Sequence, residues 1–209
     1  GLMAKHRLRC KYAPEGDPPT HRKIHQTGTF THDQPNDTCS HCHAKRVPLT
    51  MEFRPGDRYF VHDGLVALED PDFYPDGRDL GENYTLTSWR HSPCAQSGQF
   101  NCTHCHTSSG RNRFTGKNAN RACLPCHAEH VQNPQKHTNH PPDKGAWRCI
   151  SCHMPTTRFA GMMRSDHSMR PPTPATMIRF KSPAACKTCH TKPEHDAAWL
   201  DKQVRKWRK

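Results

Sequence analysis

One pentapeptide, Cys-x-x-Cys-His, recurs five times along this 209-residue chain. The copies are Cys39-Ser-His-Cys42-His43, Cys102-Thr-His-Cys105-His106, Cys123-Leu-Pro-Cys126-His127, Cys149-Ile-Ser-Cys152-His153 and Cys186-Lys-Thr-Cys189-His190. A shuffled chain of this composition would carry roughly 0.06 such motifs, so the repetition is not chance. Two thiols and an imidazole held so close in sequence address one rigid group at three points. This is the attachment pattern of c-type haem, in which the thiols add across the two vinyl groups and the histidine ligates the iron from one side. A disulfide framework has no use for a histidine after every second cysteine. Zinc ribbons leave the same histidines unexplained, and five Cys pairs do not divide into four-ligand sites. Thioredoxin-type chemistry expects one such motif after a strand, not five in loops.

The rest of the composition makes the same demand. Leu, Ile, Val and Phe together supply about an eighth of the residues, below the roughly 20% at which a charged chain is expected to be disordered. No apolar run approaches the roughly 20 residues needed to span a bilayer. Five covalently attached haems c would provide the missing interior, and folding should then be coupled to their attachment. The expected fold is mostly irregular with short α-helices carrying the motifs, a haem-organised multihaem cytochrome with little or no β-sheet.

The motif histidines His43, His106, His127, His153 and His190 are the expected proximal ligands, and thirteen other histidines are available for the opposite faces. The best placed are His137 and His140 between the third and fourth motifs, His167 after the fourth and His91 before the second, with His62 or His25 for the N-terminal haem. For any one of them the plainer reading is a solvated loop residue. His41 and His104 lie inside their own motifs and cannot easily turn back to the same iron. Met154 and Met169 are expected to pack against haem.

Three regions follow: a basic N-terminal extension over 1–38, a pentahaem domain over 39–190 and a C-terminal amphipathic helix within 191–209. Motifs two to five crowd into residues 102–190, too little chain to separate four macrocycles. Residues 44–101 form the longest motif-free stretch. The segment 169–177, rich in proline, reads as an extended strap. Ala197, Leu200, Val204 and Trp207 recur at helical spacing behind the acids Glu194 and Asp196, as a packing helix would have them. Cys10 and Cys94 belong to no motif; in an oxidising compartment they either bridge each other or stand as separate thiols.

The formal charge of +12 suggests nucleic acid at first sight. Ten propionates from five haems would absorb most of it, with Arg suited to bidentate carboxylate pairing. No nucleic-acid partner is expected, and a modest basic surface would remain for an acidic redox protein.

Several segments carry a resemblance: Ser88-Trp-Arg-His-Ser-Pro, Cys149-Ile-Ser-Cys-His-Met-Pro, Asp166-His-Ser-Met-Arg-Pro-Pro-Thr-Pro and Ser182-Pro-Ala-Ala-Cys-Lys-Thr-Cys-His. In their order the chain resembles multihaem c-type cytochromes found with tetratricopeptide repeats, distantly akin to the nitrite reductase and hydroxylamine oxidoreductase group. The resemblance implies distal ligation by the histidine matching His167 and by one in the stretch matching His137–His140. It also implies maturation outside the cytoplasmic membrane, hence a periplasmic or extracellular location. Such proteins usually carry further haem motifs upstream and helical repeats downstream, which suggests a processed or truncated chain here.

Electron transfer along closely packed, mainly bis-histidine haems is the expected function, with redox proteins as partners. One alternative is a subunit of a polymeric extracellular cytochrome or larger redox complex. Another is an oxidoreductase acting on a small nitrogen or sulfur oxide at an open iron; all five motifs keep their histidine, which argues against it.

Overall fold

The computed structural model describes residues 27–81, 84–141 and 146–207. His25, Cys10 and most of the basic extension lie outside these residues. Helix α1 (Gln34–His43) begins with Pro35, whose missing N–H is harmless in a first turn, and carries the whole first motif. The chain then leaves in extended form and pairs β1 (Arg46–Pro48) antiparallel with β2 (Asp63–Leu65), Val47 opposite Gly64. The short α2 (Tyr59–His62) leads into β2.

Helix α3 (Thr85–Arg90) and α4 (Pro93–Gln96) follow, the latter capped by Ser92 Oγ accepting from the Ala95 N–H at 3.0 Å. The second motif opens α5 (Cys102–Cys105), and the third rides the start of α6 (Leu124–Gln132). A proline then begins α7 (Pro134–Thr138), which ends at Asn139 in the left-handed region, φ 54°. The fourth motif is α8 (Cys149–His153). It runs into a hairpin of β3 (Thr156–Phe159) and β4 (Met162–Ser165), whose turn residues Ala160 and Gly161 both have positive φ. Beyond it lie α9 (Pro174–Phe180), a 3-10 turn over Ala185–Thr188 holding Cys186, and α10 (Ala197–Trp207).

Short helices on the motifs, much irregular chain and, among the described residues, only two small two-stranded sheets match the expected fold class. The proline strap is shorter than expected. From Pro174 onward the chain is helical, because proline is tolerated at the first position of a helix and Ala175, Met177 and Ile178 do not oppose it. The C-terminal helix forms where its periodicity put it: Leu200 is buried, and Asp196 Oδ1 accepts from the Trp199 N–H at 2.7 Å as the N-terminal cap.

The apolar core is small and lies in the motif-free stretch. Ala44, Tyr59, Leu86 and Trp89 form it, with Leu65, Cys94, Ala95, Phe100 and Met169 packed around. Met169 is thus a core contact, reached through a positive-φ backbone. Polar side chains do much of the remaining bracing. Asp63, fully buried, receives Arg46 at 2.5 Å and His41 at 2.9 Å, tying β2 to the first motif. Arg78 joins Asp76 to Thr176, Ser182 and the Pro183 carbonyl, sewing the motif-free stretch to the approach of the fifth motif.

Candidate haem sites

The ten attachment cysteines, Cys39/Cys42, Cys102/Cys105, Cys123/Cys126, Cys149/Cys152 and Cys186/Cys189, are all free thiols. Most are half-buried and three (Cys42, Cys126, Cys189) are exposed, so the pairs stand at the molecular surface or in crevices rather than sealed in a core. One crevice runs between the fourth and fifth motifs, lined by Cys152, Pro155, Arg170, Pro171 and Cys186. Burial raises the thiol pKa of Cys152 to about 11, and it raises Cys105 and Cys186 as well. These thiols are therefore protonated near neutrality, the form in which S–H adds across a vinyl double bond.

The histidine rings meet in a pattern the motifs alone did not reveal. The ring centroids of His106 and His167 lie 6.3 Å apart, those of His153 and His137 6.1 Å, and those of His190 and His140 6.1 Å. In each case a motif histidine meets one from a distant segment. Two metal–nitrogen bonds of roughly 2.0 Å and roughly 1.1 Å from each nitrogen to its ring centre put opposed imidazoles roughly 6.2 Å apart across one iron. The observed separations fit that spacing. His127 and His130 also lie 6.2 Å apart, but they are three residues apart on α6, where helix geometry alone brings neighbours to roughly this distance.

The second nitrogens support the same reading. His167 Nδ1 is 2.8 Å from the Ser165 carbonyl, His140 Nδ1 2.5 Å from that of Thr138, His153 Nδ1 3.1 Å from that of Arg170 and His106 Nδ1 3.2 Å from that of Gly110. A carbonyl can only accept, so each Nδ1 carries the proton and each Nε2 keeps its lone pair. That is the tautomer and anchoring expected of an imidazole that binds a metal. Burial is the leading cause lowering the pKa of His167, His153, His137 and His190, and this favours the neutral ring that a ligand requires.

Other histidines are employed differently. His41 is held by Asp63 and stacked on Phe53 at 4.2 Å, and His104 Nε2 contacts the Ala122 carbonyl at 2.9 Å. His62 has Thr50 Oγ1 at 2.6 Å from Nδ1 and Asp57 Oδ2 at 3.4 Å from Nε2, so both its nitrogens are occupied. His91 is exposed beside Gly77, with no motif imidazole against it among the described residues. His43 likewise has no opposed ring among the described residues. His130 stacks on His137 at 4.3 Å and His195 on Trp199 at 4.2 Å; sequence position gave no sign of either contact.

Among the described residues no three His, Cys, Asp or Glu side chains converge to hold a bare metal ion. A zinc site would need about four such ligands, whereas iron already in a porphyrin needs only two axial ones. The donor set fits haem.

Comparison with known proteins points the same way. Residues 143–209 match the family model described as cytochrome c552. The structure resembles the crystal structure of the outer cell wall cytochrome OcwA, with a TM-score of 0.57 and 14% sequence identity over 96% of this chain. The chain spans about half the length of that protein, 55% of it. No curated protein sequence matches. No helix among the described residues is long and apolar enough to cross a membrane. The chain has a multihaem cytochrome fold, and its C-terminal third carries the sequence signature of cytochrome c552.

Proposed function

We propose that this protein transfers electrons through five covalently bound haems c, mainly held between two histidines each. The observation that carries the reading is the set of three opposed imidazole pairs, spaced for one iron apiece. On this reading His106 works with His167, His153 with His137 and His190 with His140.

Bound haem supplies a one-electron ferric–ferrous couple, with a potential set by ligands, burial and hydrogen bonding. The protein's own part is to fix imidazole tautomers through backbone carbonyls and to keep those rings neutral. It also brings successive attachment sites into contact, α1 with α5 and α8 with the turn over Ala185–Thr188. No nucleophile or proton donor is required for that task. A periplasmic or extracellular location and redox-protein partners accompany the reading; covalent haem attachment and the cell-wall cytochrome of like fold support both.

The test is an intact mass together with low-temperature EPR and optical spectra of the purified protein, with and without carbon monoxide. The expected result is a mass raised by five haems and predominantly low-spin iron indifferent to the gas. A mass equal to that of the amino acids alone would overturn the proposal. Mostly high-spin, gas-binding iron would overturn the bis-histidine carrier and favour catalysis at an open iron.

A further inference from the structure

Two asparagines occupy the same place relative to two different motifs. Asn36 stands three residues before Cys39, and Asn120 three residues before Cys123. Each reaches out of its own motif to the opening cysteine of the next. Asn36 Oδ1 accepts the backbone N–H of Cys102 at 2.8 Å and its Sγ–H at 3.0 Å. Asn120 Oδ1 accepts the backbone N–H of Cys149 at 3.0 Å, while its Nδ2 donates to the Trp147 carbonyl at 2.8 Å.

These N–H groups belong to the first turn of α5 and α8, where a helix has donors but no internal acceptors. The cap of α5, Asn101, is spent on the Thr103 N–H, and α8 begins at Arg148 with no side-chain cap. The bond from the preceding motif therefore fills a real vacancy in each helix. Asn120 is buried, so its loss would leave that donor without a partner.

The same bonds set opening cysteines near one another: Asn36, one turn ahead of Cys39 on α1, holds Cys102, and Asn120, three residues ahead of Cys123, holds Cys149. The first cysteine of a motif fastens one edge of its macrocycle, through a thioether made when sulfur bonds one vinyl carbon and its proton passes to the other. Attachment thus consumes Sγ–H and removes the Cys102 thiol bond, while the backbone bonds to Asn36 and Asn120 persist. Two opening cysteines held by one asparagine link then bring two macrocycle edges together.

We propose that Asn36 and Asn120 are positioning residues that lock motif one to motif two and motif three to motif four, holding these four haems as two edge-coupled pairs, with the fifth beside the fourth. The inference rests on the haem reading given above and adds which haems are coupled and what holds them so.

The test is circular dichroism of the Soret band of the holoprotein, where two closely held macrocycles give a two-signed couplet. Haem content is measured separately as the pyridine haemochrome, so loss of haem and loss of coupling are told apart. With three neighbouring contacts, one to two, three to four and four to five, Asn36→Ala and Asn120→Ala are each expected to lower the couplet by about a third, and the double variant by about two thirds, as independent sites add. Asn36→Asp keeps the acceptor oxygen and should retain the couplet. Asn36→Gln moves the same amide one methylene away, so it should load five haems and still lower the couplet as Asn36→Ala does, which decides the matter even if the alanine variant matures poorly. A full-haem alanine or glutamine variant with an unchanged couplet, or a five-haem wild type with none, overturns the proposal.

Discussion

Arg78 lies far from every motif in sequence, yet its removal should loosen the chain that leads into the fifth motif. Its side chain is 13% exposed and that of Asp76 is 7% exposed. The guanidinium meets Asp76 Oδ2 through Nε at 3.0 Å and Nη2 at 2.6 Å; Nη2 also reaches Ser182 Oγ at 2.6 Å and Thr176 Oγ1 at 2.8 Å, and Nη1 meets the Pro183 carbonyl. Arg78→Met preserves much of the volume and removes every bond. Breaking a buried ion pair from one side costs about 3–5 kcal/mol, and each neutral bond lost about 1 kcal/mol, overlapping rather than additive. We expect a net loss of about 4 kcal/mol, most of it from the stranded carboxylate. Adding Asp76→Asn should therefore return at least about 1 kcal/mol, since no buried charge is then left alone.

The pH dependence carries a sign. Burial is the largest influence on Asp76 and raises its pKa, but the bonds to Arg78 together outweigh it, so the native value lies below normal. The wild-type contribution is thus held above roughly pH 3.9 and lost as pH falls through the lower native value. In Arg78→Met burial is opposed only by the Ser182 hydroxyl and the backbone N–H of residue 78, so the native value rises and the gap to wild type should narrow below about pH 4. Guanidinium unfolding of the holoprotein, followed by far-UV circular dichroism and by the Soret band, measures both. A loss under about 1 kcal/mol, or a double variant no more stable than Arg78→Met, refutes the reasoning.

Two further outcomes are expected. Asp79 is buried, Arg164 and Asp166 are its charged neighbours, and burial raises its pKa to about 6. A carboxyl whose native pKa exceeds its unfolded value loses stability as pH climbs between the two, so Asp79→Asn should gain up to about 3 kcal/mol at pH 7 and nothing near pH 4; an equal effect at both pH values would contradict this. The two histidines of the first motif should part company. His43→Ala is expected to disturb the spin state of one haem, visible by EPR. His41→Asn should leave the spectrum alone and cost only stability through Asp63, and a changed spin state in that variant would be the contrary result.

The motifs were legible because attachment chemistry imposes a fixed spacing of residue types, and the short helices that carry them are local. The final helix was legible through the period of Ala197, Leu200, Val204 and Trp207. The pairing of histidines was not, because nothing local distinguishes His140, tied to the Thr138 carbonyl, from His62, tied to Thr50 and Asp57. The deciding partners are often backbone carbonyls, which every residue has. Arg78 was invisible for a related reason: its acceptors at 176, 182 and 183 come from another part of the chain, and one surface-type residue among many basic ones carries no mark of its fate.

A chain this poor in aliphatic residues divides the work of folding between two kinds of contact. Buried polar side chains such as Asp63, Ser92, Asn120, Ser168 and Ser182 fix individual crossings of the chain, and they do so by directional bonds that need little apolar area. Several apolar side chains meanwhile stay exposed, Leu124 and Ile150 among them, and both sit between the two cysteines of a motif. That is the place where an attached macrocycle would lie against the chain. Covering such residues would recover apolar burial at about 25 cal/mol per Å², while the polar pins specify where each attachment site stands relative to the next. The two contributions are of different kinds, so losing a pin such as Arg78 should misplace a site before it empties it.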